Sequence, residues 1–293
     1  MRKLLTLTVA GVLAGLVPAL AVAEVDWVGG LPAALEKAAQ ADRPVLVDFY
    51  TDWCGWCKKL DAEVYTDERV EKLLAEAFIC VKVDGDAETE LVGKYEVDGY
   101  PTVIILDTDG VRLKTIGGFE PADLFLIELK DALDLRGLRA EGKALQGELE
   151  SASPERAAEI NARLAYIERR LGNMAAAADR LAQAKAAGLD TPEVRLNEAL
   201  LIEAPAARAT ALSAWLDANP GSPYGAEAFF ELGMAQAQQR KWTEAVASLE
   251  MATAEAPTSI WSATAQAIAK VIRDRFIDRP EGMGDATGGC CGQ

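Results

Sequence analysis

Histidine is absent from all 293 residues. That excludes Ser–His and Cys–His catalytic pairs, and with them every zinc site built on imidazole. Cysteine is scarce: five residues, at positions 54, 57, 80, 290 and 291, are too few and too unevenly placed for a structural disulfide framework in so long a chain. Lysine and arginine number 30 against 46 acidic residues, a formal charge of −16, and such acidity counts against nucleic acid or an anionic membrane surface as a partner. Long apolar runs are confined to the N-terminus, where Leu4 to Val17 falls short of the ~20 residues that a spanning helix needs.

The N-terminus itself is informative. Arg2-Lys3, the apolar run, then Pro18 and Ala21-Val22-Ala23 follow the charged, greasy and small-residue order of a secretory signal, with cleavage expected before Glu24. Residues 1–23 are therefore read as a signal peptide. Its removal takes the formal charge from −16 to −18. The chain contains no Asn-x-Ser/Thr acceptor and its C-terminus is no retention signal, so a bacterial periplasm is favoured over a eukaryotic secretory route.

Beyond the signal, Leu31 to Ala41 has helical spacing, and Val45 to Tyr50 is a short apolar run suited to a strand buried on both faces. Asp48 is out of place in it. Cys54 to Glu76 reads as helix, Phe78 to Val83 as a second buried strand and Thr89 to Tyr95 as a short helix. Thr102 to Asp107 and Val111 to Ile116 read as two strands joined at Thr108-Asp109-Gly110, and Ala122 to Leu135 as a closing helix. The pattern sets Cys54 at the start of a helix just after a parallel strand, where unpaired N–H groups and the helix dipole favour a thiolate nucleophile. Cys57 lies one turn further in, placed to attack a mixed disulfide formed at Cys54. Gly55 is expected to let the chain enter the helix tightly. Two other readings of this Cys-Gly-Trp-Cys stand behind exchange chemistry. A metal knuckle needs about four soft or imidazole ligands and this motif supplies two; a pair of inert core thiols fits poorly with the Trp, Gly and Lys around it.

Val47-Asp48-Phe49-Tyr50, Trp53-Cys54-Gly55-Trp56-Cys57-Lys58, Val81-Lys82-Val83-Asp84 and Gly99-Tyr100-Pro101-Thr102 occur in an order and at separations that resemble the thioredoxin superfamily, over roughly residues 27 to 136. The resemblance implies an α/β thioredoxin fold, a central mixed sheet flanked by helices. It also implies a Cys54–Cys57 redox-active disulfide and a cis Pro101 whose loop lies against the dithiol and offers the Tyr100 backbone to a peptide. Asp48 then becomes the acid that accepts and returns the Cys57 proton, its carboxyl group pushed above the ordinary range by burial, and Lys82 matches the lysine that the family sets beside that acid. Trp53 and Trp56 are expected beside the sulfurs where clients dock. Cys80, inside an apolar strand, is expected to be a buried structural thiol. The family's reducing members usually carry Gly-Pro between the cysteines, where this chain has Gly55-Trp56. The segment Lys59 to Val70 is similar to exported domains that relay electrons from a membrane reductase.

Past Leu135 the composition shifts to Ala, Leu, Glu and Arg. The expected organisation is a thioredoxin-like domain at 24–138, a linker helix at 139–152 and a helical domain at 153–278. In the last, Ala177, Ala211 and Ala245 recur at steps of 34, as do Leu181, Trp215 and Leu249, and Ala184, Ala218 and Ala252. Ser153-Pro154, Thr191-Pro192 and Ser222-Pro223 supply cap-then-proline helix starts. The period is similar to tetratricopeptide repeats, an all-α array of paired helices with a concave face for peptides or a partner's helix. Its middle unit is degenerate, with Glu198 at a usually apolar position and Pro205 at the inter-helix turn; Trp261 to Phe276 reads as a capping helix. Arg169 and Arg170 are expected on the solvated surface.

Residues 279–293 form a Gly-rich arm ending in Cys290-Cys291. The pair is similar to the dithiol tails of mercuric reductases and some large thioredoxin reductases. It admits three readings: an accessory dithiol that shuttles electrons to Cys54, a soft-metal binder, or an incidental tail. The function expected is an exported thiol–disulfide oxidoreductase, acting as a reductase on protein disulfides, needing no organic cofactor and recharged by a membrane or periplasmic donor. The competing expectation is a scaffold in which the repeats carry the function and the dithiol senses redox state.

Overall fold

The computed structural model describes residues 25–278. Residues 1–23, read above as a signal peptide, and Cys290-Cys291 lie outside the described residues.

The first region is built on a five-stranded mixed sheet in the order β1-β3-β2-β4-β5. Its strands are β1 (Trp27–Val28), β2 (Val45–Tyr50), β3 (Ile79–Asp84), β4 (Thr102–Leu106) and β5 (Arg112–Gly117). β3 runs parallel to both β1 and β2, whereas β4 is antiparallel to β2 and β5 antiparallel to β4. The apolar runs become strands because both faces of the sheet are covered. Leu46, Cys80, Val103, Ile105 and Ile116 meet helices on one side; Val45, Val47, Phe49, Val81, Val83, Ile104 and Leu106 meet helices on the other. Each of these large apolar side chains contributes roughly 1.5–3 kcal/mol through its burial. The first side is covered by α2 (Gly55–Glu63), α3 (Glu68–Ala77) and the start of α5 (Ala122–Leu149), the second by α1 (Leu31–Ala41) and the segment around α4 (Thr89–Lys94).

Three local features differ from the sequence reading. β1 is two residues long, too short to leave a periodic signature, and is held by pairing with Cys80 and Val81. The helix expected over Cys54 to Glu76 is two helices, because the Asp67 carboxylate accepts from the Arg69 amide at 2.9 Å and caps a fresh start at α3. The closing helix and the helix after it are one: α5 runs unbroken for 28 residues. Its first half packs Phe125, Leu126 and Leu129 onto the sheet, and further along Leu138 packs with Tyr166 and Ile167 of the second region. Arg136 and Arg139 of α5 donate to Asp107, and Arg139 to Asp109 at 2.6 Å, which ties the helix to the β4–β5 turn. The Arg139 hydrogen bond first, then those from the Val111 amide and Lys143, hold the Asp109 carboxyl down at about 2.

The second region is helical throughout: α6 (Pro154–Arg170), α7 (Met174–Ala186), α8 (Pro192–Leu200), α9 (Pro205–Ala218), α10 (Gly225–Gln238), α11 (Trp242–Glu255) and α12 (Ile260–Ile272), closed by a π-helical turn over Arg273–Ile277. Positions in the 34-residue phase are buried in α7 (Ala177, Leu181, Ala184) and α11 (Ala245, Leu249, Ala252). In α9, Trp215 is buried but Ala218 is exposed, so the 34-residue phase does not hold there. Ser153 and Thr191 cap their helices as expected, each accepting an amide at 3.3 Å, while Ser222 bonds the Tyr224 amide just ahead of α10. Pro205 stands in the first turn of α9 rather than in the connection before it.

Arg169 and Arg170 are not solvated. Arg169 is buried, donating to Glu227 of α10 and, at 3.2 Å, to Asn197 of α8. Arg170 donates to Asp131 at 2.9 Å and Asp134 at 3.1 Å on α5, and its guanidinium lies 4.7 Å from the Trp261 ring centroid. Arginines at the end of a helix read as surface in a sequence. Here acidic residues on two other helices, with Asn197 on a third, compensate their burial. Two helices cross closely at Gly233, where an added Cβ would stand 2.8 Å from Leu249 Cγ and 3.0 Å from the Ala245 carbonyl. Gly233→Ala should therefore lower stability by about 1–2 kcal/mol even after its gain in helix propensity, read from the thermal unfolding midpoint.

Candidate active site

Cys54 and Cys57 form a disulfide at the N-terminus of α2, just beyond the C-terminal end of β2. Cys54 is the N-cap residue, its sulfur accepting from the Cys57 amide at 3.0 Å, and its own amide donates to the Thr51 carbonyl at 3.1 Å. Both sulfurs belong to nearly buried residues, 5% and 4% exposed, so access to them is narrow. Gly55 opens α2, and an added Cβ there would meet nothing within 4 Å, so the tight entry expected of it is not a steric demand.

Parallel pairing of β2 and β3 sets Asp48 directly beside Lys82. Lys82 Nζ donates to Asp48 Oδ2 at 3.0 Å and also to Asp61 of α2. The ammonium is caged by aromatic rings, lying 4.9 Å from the centroid of Trp27, 5.2 Å from Tyr65 and 5.4 Å from Tyr50. Asp48 is 1% exposed, and burial pushes its carboxyl group above the ordinary range despite the opposing charge and hydrogen bond of Lys82. Burial works against the Lys82 charge, but the Asp48 and Asp61 carboxylates outweigh it and push that pKa up. Cys80 is buried on β3, its thiol pushed up to about 12 by desolvation, which leaves it a structural thiol.

Around the disulfide stands an aromatic rim. Trp53 and Trp56 are 69% and 59% exposed, the most open large apolar side chains among the described residues. Trp53 donates from Nε1 to Asp86 at 3.0 Å and meets Tyr100 edge-on at 5.9 Å. Trp56 lies 5.6 Å from Phe119, with Lys59 Nζ 4.7 Å from the Phe119 centroid. The Tyr100–Pro101 peptide is cis, and Trp56, Tyr100, Pro101, Gly118 and Phe119 line an open cleft of about 250 Å3. Tyr100 packs so closely on Gly85 that a Cβ there would fall 2.1 Å from its hydroxyl.

The structure thus brings Asp48 and Lys82 into contact and sets Trp53, Trp56, Tyr100 and Pro101 together at one rim. Sequence reasoning missed Asp61, Trp27, Tyr65, Gly85, Asp86 and Phe119. Asp61 lies one helical turn beyond Cys57, a spacing that could have marked it; the others come together only through tertiary packing.

A dithiol opening a helix after a parallel strand, a buried acid on that strand and a cis-proline loop leading into the antiparallel strand define a thioredoxin-type centre. The Thioredoxin-like family profile matches residues 26–108. Thioredoxin of Borreliella burgdorferi is 33% identical over 96 residues, which cover 33% of this chain and 79% of that protein. The chain belongs to the thioredoxin-like family. The thiol:disulfide interchange protein DsbD of Ralstonia nicotianae is 36% identical over 104 residues, 34% of this chain and 17% of that protein, so the chain spans about a sixth of the DsbD sequence it matches. Among solved structures, the oxidised C-terminal domain of DsbD from Neisseria meningitidis is similar at 32% identity, covering 32% of this chain and 85% of that one with a TM-score of 0.29.

Proposed function

We propose that this chain is an exported thiol–disulfide oxidoreductase that reduces protein disulfides through Cys54 and Cys57. The observation that carries the reading is the Cys54–Cys57 pair at a helix N-terminus, just beyond the strand that carries Asp48, itself paired with Lys82, and with an open aromatic cleft beside Trp56. In the reduced protein the Cys54 thiolate attacks one client sulfur; the client S–S bond breaks, a Cys54–client bond forms, and a client thiolate leaves. Cys57 then gives its proton to Asp48 and attacks Cys54 Sγ. The mixed disulfide breaks, the Cys54–Cys57 bond forms, and the second client sulfur departs and is protonated from Asp48. Two electrons have moved from the dithiol to the client, and an external dithiol, in the membrane or the periplasm, must return them.

The remaining assignments belong to the same reading. Trp53, Gly55, Trp56, Tyr100 and Pro101 form the client rim, and Lys82 holds Asp48. Residues 153–278 form a tetratricopeptide-like array that recruits clients, with the domain boundary inside α5. The signal-like residues 1–23 support export to a bacterial periplasm. In a single-turnover test, reduced protein mixed with an oxidised protein disulfide should release client thiols one pair per molecule as its own dithiol closes. An unchanged client beside a dithiol that stays reduced would overturn the proposal.

A further inference from the structure

Asp48 is held from one side. Its Oδ2 accepts from Lys82, while Oδ1 is buried with no hydrogen-bond partner. The Tyr65 hydroxyl is in the same position, buried and without a partner. Tyr65 lies just after α2, anchored by its amide on the Leu60 carbonyl at 3.1 Å, and its ring is fixed edge-on against Trp27 at 5.0 Å and Phe125 at 5.8 Å. Lys82 Nζ is the common neighbour, 3.0 Å from Asp48 Oδ2 and 5.2 Å from the Tyr65 centroid. A buried donor and a buried acceptor that flank one ammonium gain most by satisfying each other.

We propose that Tyr65 is a positioning residue for the proton acceptor of the dithiol: its hydroxyl donates to Asp48 Oδ1, so that the carboxylate is held between a phenol and an ammonium. The inference rests on the reading of Asp48 as the group that takes the Cys57 proton. The groups facing this pair are Lys82 and Cys80 on β3 and Asp61 on α2. Burial first, and then the charge of Asp48, suppress the acidity of Tyr65, so the phenol keeps its proton and acts only as a donor. A donor to the carboxylate favours its ionised form and opposes the desolvation that burial imposes on Asp48.

Tyr65→Phe keeps the ring and removes only the hydroxyl. The experiment follows the rate at which Cys57 resolves a preformed Cys54 mixed disulfide, as a function of pH, in the full chain, in Tyr65→Phe and in Asp48→Asn. The expected result is a pH inflection in the wild type that vanishes in Asp48→Asn and moves to higher pH in Tyr65→Phe. On the acid side of the inflection Tyr65→Phe should be slower by about tenfold, with the rates converging above it. An inflection lost in Asp48→Asn but unmoved in Tyr65→Phe would overturn the role of Tyr65 and leave that of Asp48 standing. An inflection that survives in Asp48→Asn would overturn both. A second readout needs no variant: with 13C at the tyrosine Cζ, the Tyr65 resonance should shift with the midpoint of the Asp48 carboxyl titration, and a flat Tyr65 signal would contradict the hydrogen bond.

Discussion

Cys57→Ala should reduce turnover of protein disulfides by roughly a thousandfold or more, the scale on which an essential nucleophile is lost, while clients accumulate covalently on Cys54. The two cysteines have separable tasks. Cys54 caps α2 and, on the proposed reading, can still open a client disulfide without its partner. On the same reading Cys57, one turn in, is the sulfur that releases the client. With alanine there, the mixed disulfide has no internal resolving thiol. The species to measure is a non-reducing gel shift, or an intact mass equal to protein plus client, that disappears with dithiothreitol and never forms in Cys54→Ala. A Cys57→Ala protein that turned over clients at the wild-type rate would show that exchange runs through other groups.

Asp48→Asn should slow turnover by about two to three orders of magnitude, the range that positioned acid–base groups supply, and should at the same time stabilise the fold at neutral pH. Both effects have one origin. The Asp48 carboxyl titrates higher in the folded chain than in the unfolded one because burial penalises its charge more than Lys82 relieves it. A group whose folded pKa is raised favours the fold fully below its unfolded value, and that contribution is lost as pH rises through the folded value. Wild type should therefore be less stable than Asp48→Asn at neutral pH, with the gap closing as pH falls to the ordinary carboxylate range. Denaturant midpoints against pH give the stability comparison. The same range of pH should show the variant's rate flat where the wild type rises. Equal stability of the two proteins from neutral pH down to about 4 would mean that Asp48 carries no such penalty.

The parts of this site that were legible in the sequence are those fixed by short-range pattern. Asp48 interrupts a run of apolar residues, which is conspicuous in a doubly covered strand, whereas Lys82 was expected only through the resemblance to the thioredoxin superfamily. Parallel pairing then set the two side by side. The Cys54–Cys57 spacing is local too, while the role of Tyr100-Pro101 was implied by the resemblance. Tyr65 and Asp61 were not legible, because an aspartate on a helix rich in Lys and Glu reads as solvated surface and nothing in a helix over Cys54 to Glu76 aims Tyr65 at the strand that carries Lys82. Only the packing of α2 over the sheet turns both toward Lys82. Arg169 was misread for a related reason. Its partners Asn197 and Glu227 lie 28 and 58 residues away, on helices whose alignment no local pattern reports. The long α5 was seen as two helices because the change in composition after Leu135 marks a change of neighbours, not a break in the backbone.

On the proposed reading Cys54 and Cys57 form a reversible redox couple poised to reduce client disulfides. The most direct measurement equilibrates the protein with dithiothreitol or glutathione buffers and counts alkylated Cys54 and Cys57 at each poise. The expected result is a single two-electron transition near about −270 mV, the level of a thioredoxin-type reductant. A transition at about −120 to −180 mV would make the protein an oxidase or isomerase and contradict the reductase assignment, and a pair that never closes reversibly would contradict exchange chemistry altogether.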